Sequence, residues 1–172
     1  LALLIETAED AGRIARRHFA AGVQAWDKGD GQGPVTAADL EVNDFLHARL
    51  TAARPDYGWL SEESDPLENT ARLGAETAFV IDPIDGTRAF ADGQKSFAHA
   101  LAVVRRGRPV AAVVHLPLLG LTYAAEAGGG ACLNGSRMNH SGRAEPRGAR
   151  VLAARVALDP RAWPGGVPQV DR

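Results

Sequence analysis

The stretch from Phe79 to Thr87 reads F-V-I-D-P-I-D-G-T and predicts a strand that runs into a turn rich in carboxylates. Its first three residues are apolar and favour β structure, which is typical of a strand buried on both faces. Pro83 cannot donate to a sheet ladder, so we expect the strand to end at Asp82. A short helix is then predicted over residues 87–91.

This arrangement brings two carboxylates, those of Asp82 and Asp85, to the end of a core strand beside the amides of a helix start. Like charges that close repel each other, so a cation is expected to hold them together. Amides at a helix N-terminus attract anions, and phosphate is the usual one. The stretch therefore indicates metal-dependent phosphate chemistry. Asp-Pro and Asp-Gly are also common turn dipeptides, however, and Asp85 could simply cap the helix.

The composition is ordinary for a globular protein. The 172 residues suffice for one domain with a real core, or for a fragment of something larger, and 45% of them are hydrophobic. The net charge of -2 gives no general attraction to nucleic acid or to an anionic membrane. The single cysteine, Cys132, excludes an internal disulfide and a thiolate zinc site. We find no transmembrane or signal segment, so a cytoplasmic location is expected.

Two helices are predicted before the central stretch, over residues 1–19 and 36–53, from their apolar periodicity. Thr36 is a good N-cap for the second helix. Asp39 suits both that cap and the helix dipole, so it could be no more than a capping residue. The glycine-rich residues 24–34 between the helices carry Lys28 and predict a loop, either a solvated one or a mobile lid.

The strand predictions place a second group of acids at a strand end. Residues 56–60 form a predicted short strand that is followed directly by Glu62 and Glu63. An antiparallel meander is predicted from strands at 97–104, 109–116 and 121–125, and Asn134-Gly135 is a strong hairpin signal.

Two histidines, His99 and His115, occur inside predicted strands of the meander. We interpret them as buried or edge histidines rather than metal ligands. Residues 137–150 contain several arginines without aromatic residues, which favours a solvated loop over a nucleic-acid platform.

Three elements resemble the inositol monophosphatase family in order and spacing: P-V-T-A-A-D at 34–39, L-S-E-E-S at 60–64 and D-P-I-D-G-T at 82–87. The G-G-G-A-C-L-N-G of residues 128–135 is similar to the family's G-x-G-A-x-x-N-G hairpin. The similarity runs from about Leu4 to Asn139. It implies a layered α/β sandwich of the α+β kind and a magnesium-dependent, lithium-sensitive phosphomonoesterase.

The resemblance also implies a set of metal ligands. Glu62, Asp82 and the main-chain carbonyl of Ile84 would hold the first ion, and Asp82 and Asp85 would hold a second, with two or three Mg²⁺ ions per site. Such oxygen ligands are those that Mg²⁺ prefers. Lys28 lies where some relatives have a functional mobile loop.

The catalytic roles come from the resemblance as well. Glu62 and Thr87 would orient the attacking water, with Asp39 beside them. The amides of Gly86 and Thr87, together with Asp85, would hold the substrate phosphate. The family's later W-D-x-x-A element, which completes the second metal site, is absent.

Residues 1–172 are therefore expected to form the N-terminal part of one phosphatase unit, with helices within 1–53 and a mixed sheet over 56–154. Taken alone, this part is expected to be catalytically weak. Ser61 stands where relatives usually have glycine, which a strand end should tolerate.

The expected function is hydrolysis of a small phosphomonoester, such as an inositol monophosphate, by metal-activated water. One alternative is a 3'(2'),5'-bisphosphate nucleotidase acting on 3'-phosphoadenosine 5'-phosphate. An alternative of another class is a catalytically decayed relative that binds a cation or phosphate for regulation. The haloacid-dehalogenase type is rejected, because its nucleophilic aspartate would fall at Pro83. The expected partners are a small phosphorylated metabolite and a second copy in a homodimer, with no nucleic-acid polymer and no membrane.

Overall fold

The computed structural model describes residues 1–27, 29, 33–64, 70–145, 150–151, 159, 161, 163 and 169–170. The chain divides into two compact units, Leu1–Met138 and Asn139–Arg172. The sheet that we expected to reach residue 154 ends at Arg137 in the first unit. The strand at Arg150–Val151 instead pairs in parallel with Gln169–Val170, within the second unit. That residues 1–172 form one phosphatase unit stays a prediction.

The described residues of the first unit form three α-helices, which are α1 (Ala2–Ala21), α2 (Ala37–Ala53) and α3 (Thr87–Ala91). A 3-10 helix spans Ala71–Gly74. The strands of this unit are β1 (Ala25–Asp27), β2 (Pro34–Thr36), β3 (Gly58–Ser61), β4 (Thr77–Asp85), β5 (Ala98–Arg105), β6 (Arg108–Leu116), β7 (Leu121–Glu126), β8 (Gly130–Leu133) and β9 (Ser136–Arg137). The three predicted helices are confirmed within two residues at each end.

One sheet joins seven of these strands in the order β3-β4-β5-β6-β7-β8-β9. Strands β3 and β4 are parallel, and every later neighbour pairs antiparallel, which confirms the predicted meander. The predicted hairpin is also confirmed, since Asn134 and Gly135 both adopt positive φ angles between β8 and β9. Among the described residues, no helix has the length and apolar character that crossing a bilayer requires.

The glycine-rich segment between α1 and α2 differs from the prediction. We expected a loop over residues 24–34, but its ends pair as the antiparallel ribbon β1–β2. Trp26 lies opposite Val35, so an aromatic and a β-branched residue face each other across the ribbon, a pair that favours β structure. Lys28 lies outside the described residues, and its role in a mobile loop remains a prediction.

The central strand β4 also departs from the prediction, because it does not end at Asp82. Asp82 pairs with Ala100 of β5, and the ladder resumes where Asp85 pairs with Ala98. The register therefore shifts between the two aspartates, which is a β-bulge. A bulge leaves residues out of the ladder, so Pro83 can be accommodated without the N–H that it lacks.

The helices cover one face of this sheet. Ile81, Leu101 and Val113 are neighbours on adjacent strands and are almost fully buried, as are the facing residues of α1 and α2. Phe90 of α3 packs edge to face on Phe97 with the ring centroids 4.6 Å apart. This contact fastens the short helix that follows the D-P-I-D-G-T turn to the core.

Candidate active site

The parallel pairing of β3 with β4 places Glu62, which follows β3, beside Asp82 of β4. Ser61 lies opposite Ile81 in the ladder, and the Glu62 amide continues the pairing by donating to the Ile81 carbonyl at 3.2 Å. The Glu62 carboxyl is near enough to Asp82 to raise the pKa of Asp82. The structure thus brings together the two acids that the sequence places after different strands.

Burial and neighbouring negative charges raise the pKa of the Asp82 carboxyl. Burial raises the pKa of Asp82 to about 7, and the negative charges of Glu62 and Asp85 act in the same direction. The hydrogen bond with Glu62 and the charge of Glu63 also raise this pKa. A cation at this position would remove the repulsion that the three neighbouring acids impose on Asp82.

Asp39 connects the start of α2 to the turn. It is fully buried, and its Oδ2 accepts hydrogen bonds from the amide of Thr36, at 2.8 Å, and from the Thr36 hydroxyl. That hydroxyl in turn accepts from the amides of Ala38 and Asp39, which completes a capping box. The Oδ1 atom of Asp39 accepts from the Thr87 hydroxyl at 3.0 Å. Asp39 therefore caps its helix and also contacts the turn.

The hydroxyl of Thr87 lies between two acceptors. Its Oγ1 is 3.0 Å from Asp39 Oδ1 and 3.0 Å from the carbonyl oxygen of Ile84. A hydroxyl has one proton, so it donates to one of them at a time. Gly86, which precedes Thr87, has φ 91° and ψ 38°, the left-handed conformation that favours glycine. This residue lets the chain turn from β4 directly into α3.

The carboxylates of the site interact in pairs, and each pair could bind a divalent cation. Among the described residues, no three His, Cys, Asp or Glu side chains are placed to hold one metal ion, so Glu62, Asp82 and Asp85 do not form a three-carboxylate cluster. Glu62 with Asp82, and Asp82 with Asp85, interact pairwise. All of these ligand atoms are oxygens, as is the carbonyl of Ile84, and such a set suits Mg²⁺.

Comparison with known proteins shows the family to which this chain is related. The sequence model of the inositol monophosphatase family matches residues 1–162. The chain belongs to the inositol monophosphatase family. It is 36% identical over 145 residues to the inositol-1-monophosphatase of Mesorhizobium japonicum, covering 83% of this chain and 53% of that protein.

Two further proteins support the assignment of this chain to the inositol monophosphatase family. It is 39% identical over 128 residues to the 3'(2'),5'-bisphosphate nucleotidase CysQ of Aggregatibacter actinomycetemcomitans, covering 74% of this chain and 47% of that one. The crystal structure of extragenic suppressor protein suhB from Bartonella henselae superposes with a TM-score of 0.76 at 30% identity. That superposition covers 87% of this chain and 57% of the other, so the chain spans about half the length of the relatives it matches.

Sequence reasoning missed a contact that holds the chain around Glu62, at the end of β3. The hydroxyl of Ser61 donates to Asn43 Oδ1 at 2.7 Å and accepts from the amide of Glu63 at 3.3 Å. Ser61 therefore ties the end of β3 to α2. Asn43 lies four residues after Asp39, so helical spacing on one face of α2 could have identified it.

The two histidines lie on the helix-facing side of the sheet, as predicted for buried residues. His99 is fully buried and His115 is 5% exposed. Burial lowers the pKa of His99 to about 4, so its ring is neutral near pH 7. The contact of His99 with the turn was not predicted: its Nδ1 reaches the carbonyl of Pro83.

A cleft of about 660 Å³ lies elsewhere in the first unit, between α1 and strands β6 to β8. Arg16, His115 and Cys132 are among the residues that line it, and none of the predicted site carboxylates does. We assign the chemistry to the carboxylates, because a site is defined by its reactive groups rather than by its volume.

Proposed function

We propose that the whole protein is a metal-dependent phosphatase that acts on a small phosphomonoester. The observation that supports this most is the Asp82 carboxyl, whose pKa is raised by burial and by the negative charges of Glu62 and Asp85. A cation bound here would offset the repulsion among these carboxylates. The chain's membership of the family supports the same conclusion.

Two or three Mg²⁺ ions are proposed per site. Glu62, Asp82 and the carbonyl of Ile84 would hold the first, and Asp82 and Asp85 would hold the second. When bound, these ions would supply positive charge that makes a water more acidic and neutralises the phosphate oxygens.

The chain's own residues would position the reactants. The Thr87 hydroxyl donates to Asp39, which leaves a lone pair on Oγ1 to accept a hydrogen bond from the attacking water. Glu62, just after the end of β3, would orient the same water. The amides of Gly86 and Thr87 would donate to phosphate oxygens beside Asp85. Asp39 is itself held by Thr36, so the Thr87 hydroxyl is fixed before a substrate binds.

An inositol-monophosphate-like substrate is the first candidate, because the relative from Mesorhizobium japonicum carries that name. A 3'(2'),5'-bisphosphate nucleotide is the second, on the strength of the 39% identical relative. The two differ in the group that carries the phosphate, not in the reaction at phosphorus. One catalytic site therefore serves for both.

Phosphate release by the full protein tests the proposal and separates the two substrates. With Mg²⁺ we expect turnover of either inositol 1-phosphate or 3'-phosphoadenosine 5'-phosphate, and loss of that turnover on addition of EDTA. A preference of more than about tenfold in kcat/KM, or about 1.4 kcal/mol, would identify the substrate class. Release of phosphate from neither compound, in protein that binds Mg²⁺, would favour the decayed regulatory relative instead.

We further propose that the protein acts as a cytoplasmic homodimer, without a nucleic-acid polymer or a membrane as partner. The net charge of -2 supports the last two points, since it provides no general attraction to polyanions. Sedimentation equilibrium of the full protein would show the dimer, and a monomer at micromolar concentration would contradict it.

A further inference from the structure

A row of polar groups, three side chains and one main-chain carbonyl, crosses four neighbouring strands on the helix-facing side of the sheet. His99 of β5 lies opposite His115 of β6, and His115 lies opposite Thr122 of β7. The two imidazole rings stack with their centroids 6.2 Å apart. The row begins at β4, where His99 Nδ1 contacts the carbonyl oxygen of Pro83, inside the D-P-I-D-G-T turn.

In the hydrogen bond between His99 and Pro83, only one group can be the donor. A carbonyl oxygen can only accept, so Nδ1 carries the proton and donates it. The other ring nitrogen, Nε2, is buried and has no hydrogen-bond partner among the described residues. The bond to Pro83 is therefore the one hydrogen bond that the described structure shows for this buried ring. Burying a polar ring costs free energy unless the ring is hydrogen-bonded, and this bond offsets part of that cost.

The bulge explains why the turn needs such a donor. Between the pairs Asp82–Ala100 and Asp85–Ala98, Pro83 and Ile84 of β4 face only His99 of β5. The regular ladder is interrupted at this point. The Pro83 carbonyl belongs to a buried residue, and a buried acceptor without a partner is strongly unfavourable. The His99 side chain supplies the donor for that carbonyl.

We propose that His99 is a positioning residue that fixes the Asp82–Asp85 turn by holding the carbonyl of Pro83. This inference rests on the cation site proposed above. The Pro83 carbonyl is then held by the His99 side chain, and the next carbonyl along the chain, that of Ile84, lies 3.0 Å from the Thr87 hydroxyl. The backbone between Asp82 and Ile84, which are both proposed to bind the cation, is thus held in place before a cation binds.

The rest of the row holds His99 in place. His115 Nδ1 is 2.9 Å from the Thr122 hydroxyl, and the Thr122 amide donates to Asn134 Oδ1 at 2.8 Å. Helix α1 closes over His115 at Gly12, where an added Cβ would lie 2.8 Å from His115 Nε2. The hairpin of residues 128–135 is in this way connected to the turn through packed side chains.

Two substitutions at His99 separate the hydrogen bond from the packing of the ring. His99→Leu removes the donor, whereas in His99→Asn the amide nitrogen can occupy the position of Nδ1. With Mn²⁺ as the probe, followed by electron paramagnetic resonance of the full protein, we expect His99→Leu to weaken binding about tenfold, as is usual for partners of metal ligands. His99→Asn should restore most of that loss. Val113→Ala, in the same buried face, should leave Mn²⁺ binding unchanged.

Equal Mn²⁺ affinities for wild type and His99→Leu, or equal losses for the leucine and asparagine variants, would overturn the proposal. A second measurement does not depend on the cation. A coupling through the hydrogen bond, between His99 Nδ1 and the Pro83 carbonyl carbon, is expected in nuclear magnetic resonance spectra of the isotope-labelled, metal-free protein. Its absence would overturn the positioning role. Its presence in a wild type that binds no Mn²⁺ would instead show that the cation site is wrong.

Discussion

Asp82→Asn is expected to lower the kcat of the full protein by about 10³-fold, the size of effect seen when a group that stabilises transition-state charge is removed. Asp82 is the acid whose pKa the neighbouring acids raise, and it is the proposed bridge between two cations. The amide has nearly the same shape but no charge, so the fold should remain. Steady-state phosphate release at saturating Mg²⁺ measures the effect, and near-normal turnover would contradict the metal assignment.

The stability of the metal-free protein provides a second measurement on Asp82→Asn. The pKa of Asp82 is about 7 in the folded chain, against an ordinary value of 3.8. Between these values the folded state binds more protons than the unfolded state, so metal-free wild type should lose stability as the pH rises through this range. Asp82→Asn should lack this loss. Thermal melts in EDTA at pH 5 and pH 8 test it, and parallel shifts in both proteins would contradict it.

Thr87→Val is expected to lower kcat by about 10²-fold, the lower part of the range for general acid–base groups, with a smaller change in KM. Valine keeps the branched shape of threonine but loses the hydroxyl that contacts Asp39 Oδ1 and the Ile84 carbonyl at 3.0 Å each. The side chain that would orient the attacking water is then missing, whereas the proposed phosphate donors are main-chain amides. The measurement is kcat and KM for the substrate that the assay identifies.

Thr87→Ser is the matched control, because it keeps the hydroxyl and removes only a methyl group. We expect serine to retain most of the activity. If serine and valine reduced kcat equally, the side-chain shape rather than the hydroxyl would be responsible, and Thr87 would not orient water.

Much of the fold follows from the sequence because the signals are local. The helix that begins after Thr36, the hairpin at Asn134-Gly135 and the short helix after Gly86 each depend on residues that contact one another within a few positions. The bulge in β4 could not be predicted in this way. It depends on how β5 pairs with residues 82–85, and a pairing between strands is not contained in either strand alone.

In the candidate site, too, some features could be predicted from the sequence and others depend on contacts between distant residues. Glu62 and Asp82 were identified as acids at strand ends, and their contact follows from the parallel pairing of β3 with β4. The roles of Ser61 and His99 were missed, because a serine near a strand end and a histidine within a strand are ordinary in sequence. Each gains its significance from a partner far along the chain, Asn43 in one case and Pro83 in the other.

The central claim is that Glu62, Asp82 and Asp85 bind divalent cations at the ends of β3 and β4. Anomalous scattering from crystals of the full protein grown with Mn²⁺ tests this most directly. We expect a peak about 2.1 Å from oxygens of Glu62 and Asp82, a distance typical of Mg²⁺, and a second peak near both Asp82 and Asp85. Well-ordered crystals at millimolar Mn²⁺ with no peak at these carboxylates would contradict the account.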